Sequence, residues 1–258
     1  MNTPISYEFP LNERIRVFIR LEQLLHQFNH HLYLATTADK RAAISILLDI
    51  IAIFKRNDLK SEILKELDRH TNVLNKIATN AKHDIDTQKI QNLLMQLSGI
   101  SQKLYATTGK IGNHIMDSDL FQSIAQRSTI PGGTCSFDLP EFHYWLAQED
   151  ETCFQDLNQW CRPFSDIGVA IDLILSFIRN SHTTTEEIAP AGFFQITLDT
   201  TLSNQLLIVS LDRALPYFVE ISGGKHRCTV RFMHPSHNNQ RAKQSTENIP
   251  FILTNCIF

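Results

Sequence analysis

The sequence predicts an α+β fold: a mainly α-helical bundle domain over residues 12–182 and a smaller antiparallel β-strand domain over 190–258. Three observations lead there. Up to about residue 180, apolar residues recur at spacings of three and four, the period of a helix with one buried face. Beyond about residue 190 the period drops to two, which is that of a half-buried strand. The punctuation changes with it, from N-capping residues and short connections to the pair Gly223-Gly224, a hairpin signal.

The elements follow in order. Ile5, Tyr7 and Phe9 share one side of an extended segment that Pro10 stops, and this strand at 5–10 is able to join the later sheet. Asn12 is placed to cap a helix carrying Ile15, Phe18, Ile19, Leu25 and Phe28. Asp39 is read as the cap of a second helix, with Ile44, Leu47, Leu48, Ile51 and Phe54 inside. Asp58 is read as the cap of a third, with Ile63, Leu64, Leu67 and Leu74, and Asp86 as the start of a fourth, with Ile90, Leu93, Leu94, Leu97 and Leu104. Short connections favour antiparallel neighbours. A fifth helix is predicted over about 117–128, followed by a tight turn at Ile130-Pro131-Gly132-Gly133. Asp138 then reads as an N-cap, with Pro140 in the first turn of a helix that holds Phe142, Trp145 and Leu146. A last long helix ends near Arg179. The polar run from Asn180 to Pro190 reads as a linker or exposed loop. Strands are predicted around Phe194–Leu198, Leu206–Ser210, Phe218–Ser222 and Lys225–Met233.

Composition limits the function classes. The 258 residues suit one to two domains at roughly 150 residues each. With 43% apolar and 20% charged residues the chain can build a core, and a net charge of −3 is not that of a polycation made for nucleic acid. The charge is uneven: residues 188–258 hold 6 Lys and Arg against 4 Asp and Glu, while the preceding segment is net acidic. No run approaches the roughly 20 apolar residues of a membrane span, and Met1-Asn2-Thr3-Pro4 does not open a secretory signal. Five cysteines without a CxxC fit buried thiols in a reducing cytosol.

Most candidate chemistry lacks its required partners. Thr108-Gly109-Lys110 has Leu104 where a phosphate loop needs Gly and Ile111 where it needs Ser or Thr, so it reads as a helix end. His26 and His30 are spaced for zinc, but Gln27 stands where HExxH has Glu, and no metal or cofactor is expected. Cys135, Asp138 and His143 are the one set from which a cytosolic hydrolase could be built, which would require spatial contact and an oxyanion hole. Two basic constellations remain. Arg16 and Arg20 project from one helix face, with Glu13 in reach of Arg16. Lys225, Arg227 and Arg231 share one face of a strand whose other face carries Cys228, Val230 and Phe232. Such a face is either a plain solvated surface or a platform for carboxylates, which guanidinium forks bind specifically. A nucleic-acid-binding adaptor is the other alternative, but that strand offers no aromatic beside its arginines.

Several segments occur in an order that resembles the ZapD family of bacterial cell-division proteins. They are Tyr7-Glu8-Phe9-Pro10-Leu11-Asn12-Glu13 with Arg16 and Arg20; Leu64-Lys65-Glu66-Leu67-Asp68-Arg69; and Ile130-Pro131-Gly132-Gly133-Thr134-Cys135-Ser136-Phe137-Asp138-Leu139-Pro140 with His143 and Trp145. Gly192-Phe193-Phe194-Gln195 follows, and then Ile221-Ser222-Gly223 with Lys225, Arg227, Arg231, Phe232 and Met233. The block around Cys135 is the most distinctive. The resemblance implies a cytoplasmic homodimer, non-enzymatic, that binds the C-terminal tail of the tubulin-like GTPase FtsZ and cross-links its filaments to promote Z-ring assembly at midcell. It implies no cofactor, no nucleic acid and no membrane partner. By motif it carries tail-binding roles to Arg16, Arg20, His143, Lys225, Arg227 and Arg231, with Arg56, Arg69 and Arg127 as secondary candidates. Asp119 stands near where similar members carry a basic residue, which weakens a purely electrostatic cleft at that edge, and residues 234–258 match poorly and receive no role.

Overall fold

The structure is a computed structural model that describes residues 3–56, 58–80, 87–224, 226–236 and 241–258. The chain divides into two compact units, Arg20–Ile174 on one hand and Met1–Ile19 with Leu175–Phe258 on the other.

The first unit is helical. It contains most of α1 (Glu13–Leu32), then α2 (Thr37–Arg56), α3 (Leu59–Asn80), α4 (Thr87–Ala106), the single turn α5 (Asn113–Met116), α6 (Asp119–Arg127), α7 (Pro140–Leu146) and most of α8 (Asp150–Asn180). The apolar stripes form the core: Leu21, Leu25 and Phe28 on α1, Ile44, Leu47 and Ile50 on α2, Ile63 and Leu67 on α3, Leu97 and Leu104 on α4, and Phe164, Ile167 and Ile171 on α8 are buried. Aromatic rings lock the bundle locally. Trp160 meets Phe121 edge-on at 4.9 Å and Trp145 at 5.3 Å, and the Trp145 indole N–H donates to Asp156 at 3.0 Å.

The caps match expectation in part. Asn12 caps α1: its Oδ1 accepts from Ile15 N at 3.0 Å. Asp58 caps α3, accepting from Ser61 N at 3.4 Å. Asp39, however, is not a cap. Thr36 is the N-cap of α2, accepting from Asp39 N at 3.2 Å, while the Asp39 carboxylate accepts from the Thr36 hydroxyl in return. The pairing differs from a capping box in that Asp39 accepts from the Thr36 hydroxyl and not from its backbone N–H. Asp138 also yields its expected place. Leu139 precedes α7 as its cap residue, with Pro140 first in the helix, and Asp138 faces Arg127 at 3.6 Å instead. Asp86 lies outside the described residues.

Both carboxyls at these helix starts are held below their ordinary 3.8. The cause at Asp39 is the Thr36 hydroxyl and then His31, and at Asp58 it is hydrogen bonding from Ser61. A carboxyl depressed in the folded state stabilises it above the unfolded pKa and loses that contribution as pH falls through the folded value. Acidification from pH 5 to pH 3 therefore lowers the urea midpoint, and Asp58→Asn, which keeps a capping oxygen but does not titrate, loses less over this window than the parent chain; equal slopes would refute the depressed carboxyl at Asp58.

The second unit is a β-sandwich, where one small sheet was expected. One sheet has the order β1-β4-β8-β2, from Ile5–Pro10, Asn204–Leu211, Ile249–Ile257 and His182–Ala189. The other has β3 (Phe193–Thr197), β6 (Arg227–His234) and β5 (Phe218–Gly223), with the short β7 (Lys243–Gln244) against β6. All pairings are antiparallel. The sheets share one core of Leu207, Val209, Ile249, Phe251 and Leu253 from the first and Val219, Cys228, Val230 and Phe232 from the second.

Two features depart from the sequence reading. The Thr-rich run expected as a loop is strand β2, which pairs with β8 in register from His182↔Cys256 to Ala189↔Ile249. It is an edge strand and nearly all its side chains face water, so no apolar alternation marks it, while its threonines suit a pleated surface. The C-terminal segment, given no role above, supplies β8, which lies between β4 and β2. On β4 it is Leu207, Val209 and Leu211 that enter the sandwich core, while Leu206 is buried on the other face. The register shifts at Gln205, a buried amide that accepts from Asn12 Nδ2 at 2.9 Å and so ties the cap of α1 to the sheet.

Candidate functional site

Strand β6 presents the clearest constellation. Cys228, Val230 and Phe232 are buried, so the pleat turns Arg227 and Arg231 outward on the opposite face, and both are exposed. The hairpin that delivers them requires glycine. Gly223 has φ +145°, and a Cβ there would collide with the Arg227 carbonyl oxygen, while Gly224 N donates to that same oxygen at 3.0 Å. Lys225 lies outside the described residues.

The neighbouring strands complete the face. Arg231 stands between Phe193 on β3 and Glu220 on β5, Thr229 between Gln195 and Ser222, and Arg227 opposite Thr197. The Arg231 guanidinium pairs with Glu220 at 3.0 Å, with both side chains close to half exposed. An exposed pair of this kind contributes about 0–1 kcal/mol, so another carboxylate can displace Glu220 at little cost.

The remaining basic candidates fall on helices. Arg16 and Arg20 are one turn apart on α1; Arg20 is exposed, and Arg16 has Glu13 at 3.5 Å, the partner its spacing suggested. Arg56 lines a concavity of about 310 Å³ in the helical unit, together with Lys55, Lys60 and Lys110 around the single acid Asp58. Sequence reading singled out Arg56 but not its three lysine neighbours, because they come from the end of α2, the start of α3 and the turn after α4. Arg69 is engaged inside α3, where its guanidinium donates to the buried Glu66 carboxylate beside the buried His70. Arg127 faces Asp138, and His143 is exposed on α7. Asp119 opens α6, where a carboxylate is favoured by the helix dipole.

The hydrolase set is laid out differently from a catalytic triad. Cys135 is exposed, Asp138 is turned to Arg127, and among the described residues no side-chain hydrogen bond or ion pair joins Cys135, Asp138 and His143; Asp138 meets Cys135 only through the backbone, its N–H donating to the Cys135 carbonyl at 3.1 Å. The other four cysteines are buried, and burial pushes the Cys161 and Cys256 thiols up to about 11, away from the thiolate form. Buried thiols were expected throughout; Cys135 departs because it sits in the exposed turn before α7. Among the described residues no group of three His, Cys, Asp or Glu side chains gathers as a metal site, and no helix is long and apolar enough to cross a membrane.

A model of the ZapD cell division protein family matches residues 19–231, most of the chain. The chain belongs to the ZapD family. Among its relatives, the cell division protein ZapD of Methylococcus capsulatus is 45% identical over 257 residues and covers all of both chains. That of Ralstonia nicotianae is 36% identical over 255 residues, with 98% of this chain and 100% of the relative covered. That of Chromobacterium violaceum is 32% identical over 254 residues with the same coverage. The match spans both units, so the helical bundle and the sandwich with its arginine face are both within the shared length.

Proposed function

We propose that this chain is a non-catalytic division factor that binds the C-terminal tail of FtsZ and, as a homodimer, cross-links FtsZ filaments at midcell in the cytoplasm. The observation that carries the reading is the outward pair Arg227 and Arg231, on a sheet face within a chain of the ZapD family. Guanidinium forks on a flat, solvent-facing sheet suit carboxylates of a short extended peptide. Arg16, Arg20 and His143 are exposed or half-exposed donors that extend the same chemistry, and the basic concavity around Arg56 is a further place for acidic groups. A two-fold dimer would carry two such sites, and weak contacts repeated along a polymer become firm attachment.

The test is sedimentation of polymerised FtsZ in the presence of this protein, comparing full-length FtsZ with FtsZ lacking its C-terminal tail. Co-pelleting and bundling with the full-length protein alone is expected. Equal co-pelleting of both would place the contact elsewhere on FtsZ, and none with either would refute the reading.

A further inference from the structure

Within the tail-binding reading, we propose that Phe193 is the apolar anchor of the peptide face: it receives an apolar side chain of an acidic segment while Arg231 holds the neighbouring carboxylate. The proposal rests on that reading and adds the residue that recognises the non-charged part of the ligand.

The argument begins with the dipeptide Phe193-Phe194. In a strand, successive side chains take opposite faces. Phe194 points inward and meets the Phe251 ring edge-on at 5.2 Å. Phe193 is thereby turned outward, and it remains 41% exposed. The part of the ring still in water is apolar surface that a ligand could bury.

Its position is tightly set. The turn entering β3 has Ala191 at φ 49° and Gly192 at φ 67°. Gly192 N donates to the Glu247 carbonyl at 2.8 Å, Ala191 N to Asn248 Oδ1 at 3.2 Å, and Gln244 Nε2 to the Ala191 carbonyl at 3.0 Å. A Cβ on Gly192 would press on the Ser245 carbonyl oxygen at 2.7 Å. The backbone that delivers the ring is fixed before any ligand arrives, so little ordering cost falls on binding.

Register supplies the chemistry. Phe193 is directly opposite Arg231, a position whose Cβ atoms lie roughly 4.5–5.5 Å apart in an antiparallel pair. Arg227 follows four residues away along the same strand, roughly 13 Å at about 3.3 Å per residue. An extended peptide lying along β6 meets two guanidinium groups and, beside one of them, a rigid apolar ring. A wholly acidic segment would leave the ring unused, and a wholly apolar one would bury the arginines unpaired. The fitting occupant is a segment with an apolar residue next to a carboxylate. A single-stranded nucleic acid, the other ligand that stacks on exposed rings, is opposed by Glu220 in the same row and by the chain's net charge of −3.

The experiment measures fluorescence anisotropy with a labelled FtsZ C-terminal tail peptide, a version with its apolar side chains changed to Ala, and a single-stranded DNA oligonucleotide. The proteins are the parent chain, Phe193→Ala, Phe193→Leu and Arg231→Gln. Phe193→Ala is expected to weaken the native peptide about tenfold, to leave the Ala-substituted peptide unchanged, and to keep the salt slope. Phe193→Leu is expected to recover most of the affinity, which a collapsed fold could not do, and Arg231→Gln to flatten the salt slope. Undiminished binding by Phe193→Ala, or equal losses for both peptides, overturns the anchor and leaves the tail reading standing. Failure of the parent chain to bind the native peptide overturns both. Oligonucleotide binding that depends on Phe193, with peptide binding that does not, assigns the face to nucleic acid and overturns the anchor as well.

Discussion

Reversing both outward arginines of β6, Arg227→Glu with Arg231→Glu, is expected to weaken FtsZ-tail binding more than a hundredfold while the chain stays folded. Charge-assisted hydrogen bonds contribute about 1.5–3 kcal/mol each, and two of them lost account for a factor of that size before repulsion is added. The fold tolerates the change because neither side chain enters the core: the inward residues of the strand are Cys228, Val230 and Phe232. The native state loses the Arg231–Glu220 pair, close to half exposed on both sides, and gains like charges across the β5–β6 ladder, each a small term. Isothermal titration with the tail peptide, alongside thermal melts, checks both halves. Unchanged affinity in a folded double variant would move the site off this face. The helical candidates would then be next, with Arg20 and the cluster of Arg56, Lys55, Lys60 and Lys110 ahead of Arg69, whose guanidinium is engaged by Glu66.

The largest effect on stability is expected at Phe251. It belongs to β8, is 4% exposed, and lies between the rings of Phe194 at 5.2 Å and Phe232 at 5.0 Å, one from each of two strands of the facing sheet. Phe251→Ala removes a ring that both sheets share, and truncations of this kind cost about 3–5 kcal/mol. Ile252→Ala, its neighbour on the other face of the same strand and 39% exposed, serves as the control and should cost under about 1 kcal/mol. Urea unfolding followed by tryptophan fluorescence and far-UV circular dichroism reads both variants. A loss at Phe251 no greater than at Ile252 would contradict the shared core. Because Phe194 and Phe193 are consecutive, loosening this core should also disturb the outward face, so Phe251→Ala is expected to lower tail affinity together with stability.

Much of the helical unit was legible because a helix is a local structure. Its stripes at three and four, its caps at Asn12 and Asp58, and Pro140 at the start of α7 are decided within a turn or two of chain. The errors there are local as well. Thr36 and Asp39 both have the chemistry of a cap, and only the entry direction of the chain makes Thr36 the cap and Asp39 its reciprocal partner. The outward turn of Arg227 and Arg231 was equally readable, since alternation with Cys228, Val230 and Phe232 settles it within one strand.

What escaped the sequence is what pairing decides. Strand β2 shows no alternation because it is an edge strand with its side chains in water, and its conformation is set by the ladder with β8, some 70 residues away. Strand β8 did carry a signal in the buried alternation of Ile249, Phe251 and Leu253, but whether that segment is a terminal extension or an inner strand depends on which partners it finds. The site divides in the same way. Sequence alone determined the family, the helices and the presence of guanidinium groups on one face of β6. Tertiary structure decided that Glu220 pairs with Arg231, that three lysines surround Arg56, that Glu66 engages Arg69, and that Phe193 stands beside Arg231. The physical reason is that side-chain direction within one element follows from backbone geometry, whereas register between distant strands follows from the shared burial of two sheets. No single segment encodes that burial.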